Sequence, residues 1–198
     1  MKQTSAGVRA LAAVLLFVAC TAAAAAQSPG AHEAEIRWAG LFRAQIVGTV
    51  EQPNTAIGRT NQLAGVEKLE TTTTVPARLG VSFGLEYRLS GAAEDGAATV
   101  QVVVIPPKAG LLNPATQRRV YRETWRPSSV LIGASTVIGY RLEHEWEIIP
   151  GLWKFEIWQG EHKLGEQSFC LVPDESPGKS EESRKAQADE FCHSAATA

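Results

Sequence analysis

Leu79-Gly80-Val81-Ser82-Phe83-Gly84-Leu85-Glu86-Tyr87-Arg88-Leu89-Ser90 alternates almost without a break. Val81, Phe83, Leu85, Tyr87 and Leu89 fall on one side, and Gly80, Ser82, Gly84, Glu86 and Arg88 on the other. Successive side chains of an extended chain point to opposite faces, so a two-residue period of this length marks a half-buried β-strand. The same pattern recurs outward in both directions. Downstream, Val137 to Ile148 sets Ile138, Tyr140, Leu142, His144, Trp146 and Ile148 against Arg141, Glu143, Glu145 and Glu147. Leu152 to Trp158 then turns Trp153, Phe155 and Ile157 inward and Lys154, Glu156 and Trp158 outward, and Leu164 to Val172 reads as a last strand. Upstream, Glu35 to Val47 supplies Ile36, Trp38, Phe42 and Ile46, while the more continuous apolar run Ala98 to Ile105 suits a central strand.

The punctuation between these runs fits β-structure. Ala93-Glu94-Asp95-Gly96 and Gln159-Gly160-Glu161-His162 read as hairpin loops. Pro150-Gly151 suits a type II turn, whose twist mismatches a tight hairpin, so the chain is expected to cross there from one sheet to another. Residues 51–65 read as a loop leading into a strand from Glu67 to Val75, and residues 106–116 as a proline-bounded connection. About seven short strands with no amphipathic helix in the body predict an all-β fold, an immunoglobulin-like antiparallel β-sandwich.

The ends differ from this body. Lys2 and Arg9, the apolar run Ala10 to Ala19 and the small residues Ala24-Ala25-Ala26 have the organisation of a cleavable secretory signal over residues 1–26. Leu11 to Phe17 falls short of the roughly 20 apolar residues of a membrane span. Phe17-Val18-Ala19-Cys20 offers a lipoprotein signal as the minor alternative. Residues 27–34 then form a linker, 35–172 the sandwich, and 173–198 a polar tail in which Ser180 would cap a short helix. Of 19 basic and 21 acidic residues, the signal removes Lys2 and Arg9 alone, leaving four acids in excess. That balance carries no electrostatic mark of nucleic-acid binding. Of three cysteines, Cys20 leaves with the signal; Cys170 and Cys192 are expected to pair in an oxidising compartment, stabilising the fold by roughly 3 kcal/mol.

Pro150-Gly151-Leu152-Trp153-Lys154-Phe155-Glu156-Ile157-Trp158-Gln159-Gly160, followed by Leu164-Gly165-Glu166-Gln167-Ser168-Phe169, resembles the closing hairpin of certain exported bacterial immunoglobulin-like domains. With Pro76-Ala77-Arg78-Leu79-Gly80-Val81-Ser82-Phe83-Gly84 and Trp38-Ala39-Gly40-Leu41-Phe42, residues 35–172 are similar to the domain-of-unknown-function 3859 family. The resemblance implies a fold and no catalytic residues, since its motifs are turns and aromatic core positions.

Candidate chemistry is sparse. Glu143, Glu145, Glu147 and Glu156 could act in pairs as acid and base, or line a solvated sheet with Arg141 and Lys154 as partners. His144 is the one histidine on an expected inward face, and no zinc-type spacing, phosphate loop or nucleophile elbow is present. The densest local feature is Gln117-Arg118-Arg119-Val120-Tyr121-Arg122-Glu123-Thr124-Trp125-Arg126. Arg118, Arg119, Arg122 and Arg126 interleaved with Tyr121 and Trp125 make an interaction surface for an anionic glycan or acidic protein, or an edge strand kept soluble by charge. Outward-facing Trp158 extends that surface. The resulting expectation is a periplasmic or secreted, non-catalytic binding or interaction module of the cell envelope. It has no cofactor or metal, no membrane span after cleavage, and an unknown protein or glycan partner. A hydrolase built on Glu145 and Glu156 or His144 is the alternative, and a structural envelope component a further one.

Overall fold

The computed structural model describes residues 30–91 and 96–173, together with Ala186 and Cys192. The secretory-signal and lipoprotein readings fall outside these residues, as does the Ser180 cap. Twelve strands occupy the described residues: β1 (Ala31–Glu51), β2 (Arg59–Thr71), β3 (Thr74–Ala77), β4 (Ser82–Gly91), β5 (Ala97–Ile105), β6 (Leu111–Asn113), β7 (Arg118–Val120), β8 (Glu123–Thr124), β9 (Ser128–Leu131), β10 (Ser135–Arg141), β11 (Gly151–Gln159) and β12 (His162–Pro173). They form two sheets, ordered β10-β4-β1-β2 and β3-β12-β11-β5-β8, with β9 also on β5 and a separate β6-β7 hairpin. All pairings are antiparallel except β12 with β3. The fold is an immunoglobulin-like β-sandwich.

The alternation that opened the reading of the sequence is what closes the core. Phe83, Leu85, Tyr87 and Leu89 of β4 are at most 1% exposed, and Trp153, Phe155 and Ile157 of β11 are fully buried. Phe83 meets Trp153 and Phe155 edge-on, each with ring centroids 5.8 Å apart, and Phe169 of β12 at 5.3 Å. Edge-to-face contacts of this kind set the positive ring edge against a neighbour's negative face and add to the area buried. Gly151, at φ 131°, begins β11 where the chain passes between sheets, as Pro150-Gly151 predicts. Gly160, at φ 56°, turns β11 into β12, whose ladder closes at Gln159 opposite His162.

Several expectations need correction. The Val137–Ile148 strand ends at Arg141, and Glu145–Glu147 is a 3-10 turn. Glu147, read as outward, is fully buried. Its carboxylate accepts the Tyr140 hydroxyl at 2.6 Å and the backbone N–H groups of Glu143 and His144 at 2.8 and 2.7 Å. Capping of backbone donors thus outcompetes continued alternation. The strands flanking residues 92–96 do not form a hairpin: β4 lies in one sheet and β5 in the other. Residues 51–65 are not one loop, because β2 begins at Arg59 and pairs with β1 back to Glu51. The 106–116 connection contains β6. Two strands, of 21 and 13 residues, replace the short elements expected near the N-terminus.

Cys170 of β12 and Cys192 are bonded as a disulfide, their Cα atoms 6.0 Å apart. Ala186 and Cys192 are both helical in conformation, and Cys192 is buried. Among the described residues no helix is long and apolar enough to cross a membrane.

Candidate functional site

The length of β1 builds the site. Its ladder with β4 ends at Leu41 opposite Phe83, but its ladder with β2 continues to Glu51 opposite Arg59. Beyond Leu41 the two strands therefore leave the sheet as a ribbon. Register shifts at Leu41/Phe42, Arg43/Gln45 and Ile46/Gly48 mark bulges, which bend and twist such ribbons. The tip, residues 52–58, reaches the other sheet and the β6-β7 hairpin. Ala56 N–H donates to Glu123 Oε1 at 2.7 Å, and Asn113 Nδ2 donates to the Ala56 carbonyl at 2.9 Å. Arg118 Nη1 donates to the Pro53 carbonyl at 2.9 Å, Arg126 N–H to Gln52 Oε1 at 2.6 Å, and Thr124 N–H to the Asn54 carbonyl at 3.3 Å. Midway along the ribbon, Asn61 Nδ2 donates to Glu143 Oε1 at 2.7 Å.

Between ribbon and sandwich lies a cleft with a cavity of about 60 Å³. Phe42, Ile46 and Leu63 line it from the ribbon, and Tyr140, Glu123 and Trp125 from the body. Gly139 belongs to the same wall: a Cβ there would lie 2.5 Å from the Phe42 ring. Glu123 is 2% exposed, and burial pushes its carboxyl up to about 7; the Ala56 N–H opposes that rise, nearby Glu147 adds to it, and Arg118 weakly opposes it. Glu147 is also raised by burial, against the pull of its three hydrogen bonds. Tyr140 rises for the same reason, with the carboxylates of Glu123, Glu147 and Glu143 adding to it. Trp125 Nε1 is buried without a hydrogen-bond partner among the described residues.

The residues singled out from the sequence disperse. Arg122 and Trp158 do meet: the guanidinium lies 5.8 Å from the indole centroid and 3.4 Å from Glu156. Lys163 covers the same ring at 6.0 Å, and Glu156, 6% exposed, also accepts Trp158 Nε1 at 3.0 Å. Trp158 is therefore partly covered rather than presented outward. Arg118 is spent on Pro53, and Arg119 on the Ala109 carbonyl at 2.5 Å. Tyr121 is 59% exposed and Arg126 is exposed, while Trp125 turns into the cleft. The segment is no single edge strand, being divided between β7 and β8. Of the suggested acid–base groups, Glu145 is exposed on the 3-10 turn and His144 stacks on Trp146 at 5.4 Å. Among the described residues no cluster of three or more His, Cys, Asp or Glu side chains is arranged to hold a metal.

Sequence reading missed Glu123 as a site residue, along with the whole ribbon. Glu123 carries no local mark, because its burial comes from pairing with Val104 of β5 beneath the ribbon tip. Glu147 did carry one: a glutamate three residues after His144 has the spacing of a capping box.

A second concavity, a groove of about 540 Å³, is lined by Ile36, Trp38, Thr71 to Thr74 and Gln167. Trp38 Nε1 donates there to Thr71 at 2.9 Å, and Thr72 and Thr74 pair locally. Lys68 sits 5.4 Å over the Trp38 ring and is ion-paired with Glu86.

An immunoglobulin-like protein of Pseudomonas aeruginosa is similar at 25% identity, over 72% of this chain and 100% of that one, with a TM-score of 0.49. A β-glucosidase of Listeria innocua is similar at 11% identity, over 67% of this chain and 16% of that one, with a TM-score of 0.33. A β-glucosidase of Bifidobacterium adolescentis matches at 15% identity, over 79% and 21%, with a TM-score of 0.29. No curated protein matches. The family profile described as a domain of unknown function, DUF3859, matches residues 32–171, and the chain belongs to that family.

Proposed function

We propose that this protein is a non-catalytic binding module of the cell envelope, holding its ligand in the cleft between the bent β1-β2 ribbon and the sandwich. The observation that carries the reading is the cleft itself: an apolar-walled recess with a buried, incompletely neutralised carboxylate at its back, Glu123. Ligand sites characteristically combine apolar walls with a few fixed polar groups. The Cys170–Cys192 disulfide supports a location outside the cytoplasm, where such bonds persist. A hydrolase needs nucleophile, acid and base within reach of one reacting atom. Here Glu156 is tied to Arg122, Lys163 and Trp158, while Glu145 and His144 sit apart on a turn. Tyr121 and Arg126 stay exposed and available to a protein or glycan partner beside the cleft.

Fragment screening by NMR on the mature protein tests the reading. Bound fragments are expected to shift the Trp125 indole N–H and the ribbon amides of Leu63 and Ile46, leaving the Trp158 indole unmoved. Fragments that gather at Trp158 and never at Trp125 would overturn it.

A further inference from the structure

The cleft holds a charge problem that its own residues leave unsolved. Glu123 projects from β8 into a recess whose wall joins the apolar Phe42, Ile46, Leu63 and Trp125 to the polar Thr60 and Ser82. One carboxylate oxygen takes the Ala56 N–H; the other has no hydrogen-bond partner among the described residues, and Glu123 makes no ion pair there. Every other charged group around it fails to neutralise it. Glu147, from the 3-10 turn, repels it; Arg118, from β7, is committed to the Pro53 carbonyl and exerts the weakest of the influences on Glu123. Glu143 is turned to Asn61, the Tyr140 hydroxyl donates to Glu147, and Arg59 and Arg141 are exposed on the lining. A carboxylate in apolar surroundings gains most from a cation brought to it, because the attraction there is far less screened than in water. An aromatic ring beside that carboxylate adds its own attraction for a cation.

Resting on the cleft as the ligand site, we infer that it takes an alkylammonium or guanidinium head, carried on one end of a flexible chain, with Glu123 as the countercharge and Trp125 beside it. The cavity of about 60 Å³ suits such a head rather than a ring system. Arg59 and Arg141 on the lining disfavour a second positive charge on the same ligand, so its remainder is neutral or anionic. A free amine and the basic side chain of a peptide share this chemistry.

Isothermal titration of the full-length mature protein with pentylammonium, pentanol, 1,5-diaminopentane and a blocked lysine tripeptide separates the cases. Pentylammonium is expected to bind and pentanol not, with the diamine weaker than the monoamine. The tripeptide matches or exceeds pentylammonium if the natural source is a protein, and falls below it if the source is a free amine. With Glu123 titrating near 7, pentylammonium affinity at pH 8 is expected to exceed that at pH 6 by about tenfold, since the amine itself stays charged across that range. Glu123→Gln is expected to lose at least tenfold at pH 8, while Glu35→Gln, exposed on β1 outside the cleft, loses little. The pH series on the unaltered protein stands even if a variant fails to fold. Equal binding of pentanol and pentylammonium, or affinity flat from pH 6 to pH 8, overturns the inference. Neutral fragments seated in the cleft with no amine binding would remove the cation and leave the cleft; an empty cleft removes both.

Discussion

Two parts of this core, which meet where the Tyr140 ring lies 5.0 Å from Trp153, are built on opposite physics. At one, Phe83, Trp153, Phe155 and Phe169 interlock with no polar side-chain atom except the Trp153 indole N–H, which donates to the Ile149 carbonyl at 3.0 Å. At the other, Glu123, Glu147 and the Tyr140 hydroxyl are buried together with a Trp125 N–H that has no partner among the described residues. An apolar core gains from every atom it excludes from water, whereas a buried carboxylate is tolerated only to the extent that donors reach it. Glu147, with three donors, is structural. Glu123, with one, is where the fold leaves something undone, and sites for ligands are found among such residues.

This contrast yields predictions of decreasing size. Trp153→Ala, in the aromatic end, is expected to destabilise by about 4 kcal/mol in urea unfolding, because a large void opens among rings that cannot collapse into it. Glu147→Ala is expected to cost about 3 kcal/mol through the stranded Tyr140 hydroxyl and two backbone donors. Glu147→Gln, which keeps an acceptor, should recover part of that; an equal loss for both variants would mean that the hydrogen bonds do not hold the turn.

Glu123→Gln should act in the opposite direction. Its folded carboxyl titrates near 7, above the ordinary 4.5, so the proton is bound more tightly in the folded state. That contribution to stability is complete below about pH 4.5 and is lost as the pH rises through 7. The variant is therefore expected to match the unaltered protein at pH 4 and exceed it by about 2–3 kcal/mol at pH 8. Thermal unfolding across that range would show the two curves separating; parallel curves would mean that burial does not hold the Glu123 carboxyl above its ordinary range. Arg122→Met, on the outer face, is expected to cost less than about 1 kcal/mol, since half-exposed Arg122 shares Glu156 with Lys163.

Alternation determined the fold class and the core faces of β4 and β11, but not those of β1, where Ile46 is exposed, or of the turn that buries Glu147. Val81 to Leu89 and Trp153 to Ile157 could hide their apolar sides in no other way, and Cys170 and Cys192 pair as expected. The chain's punctuation was legible where backbone chemistry is local, as at Pro150-Gly151 and Gly160. Only the tertiary structure decided the site. β4 and β5 lie in different sheets, and the ribbon's bend comes from bulges whose register depends on both strands together. Glu123 is buried by Val104, some 20 positions earlier, and by Ala56, nearly 70 earlier. A side chain's period reports which face it takes; whether that face meets water, another sheet or a folded-back ribbon depends on contacts between segments remote in sequence, and no local pattern encodes those.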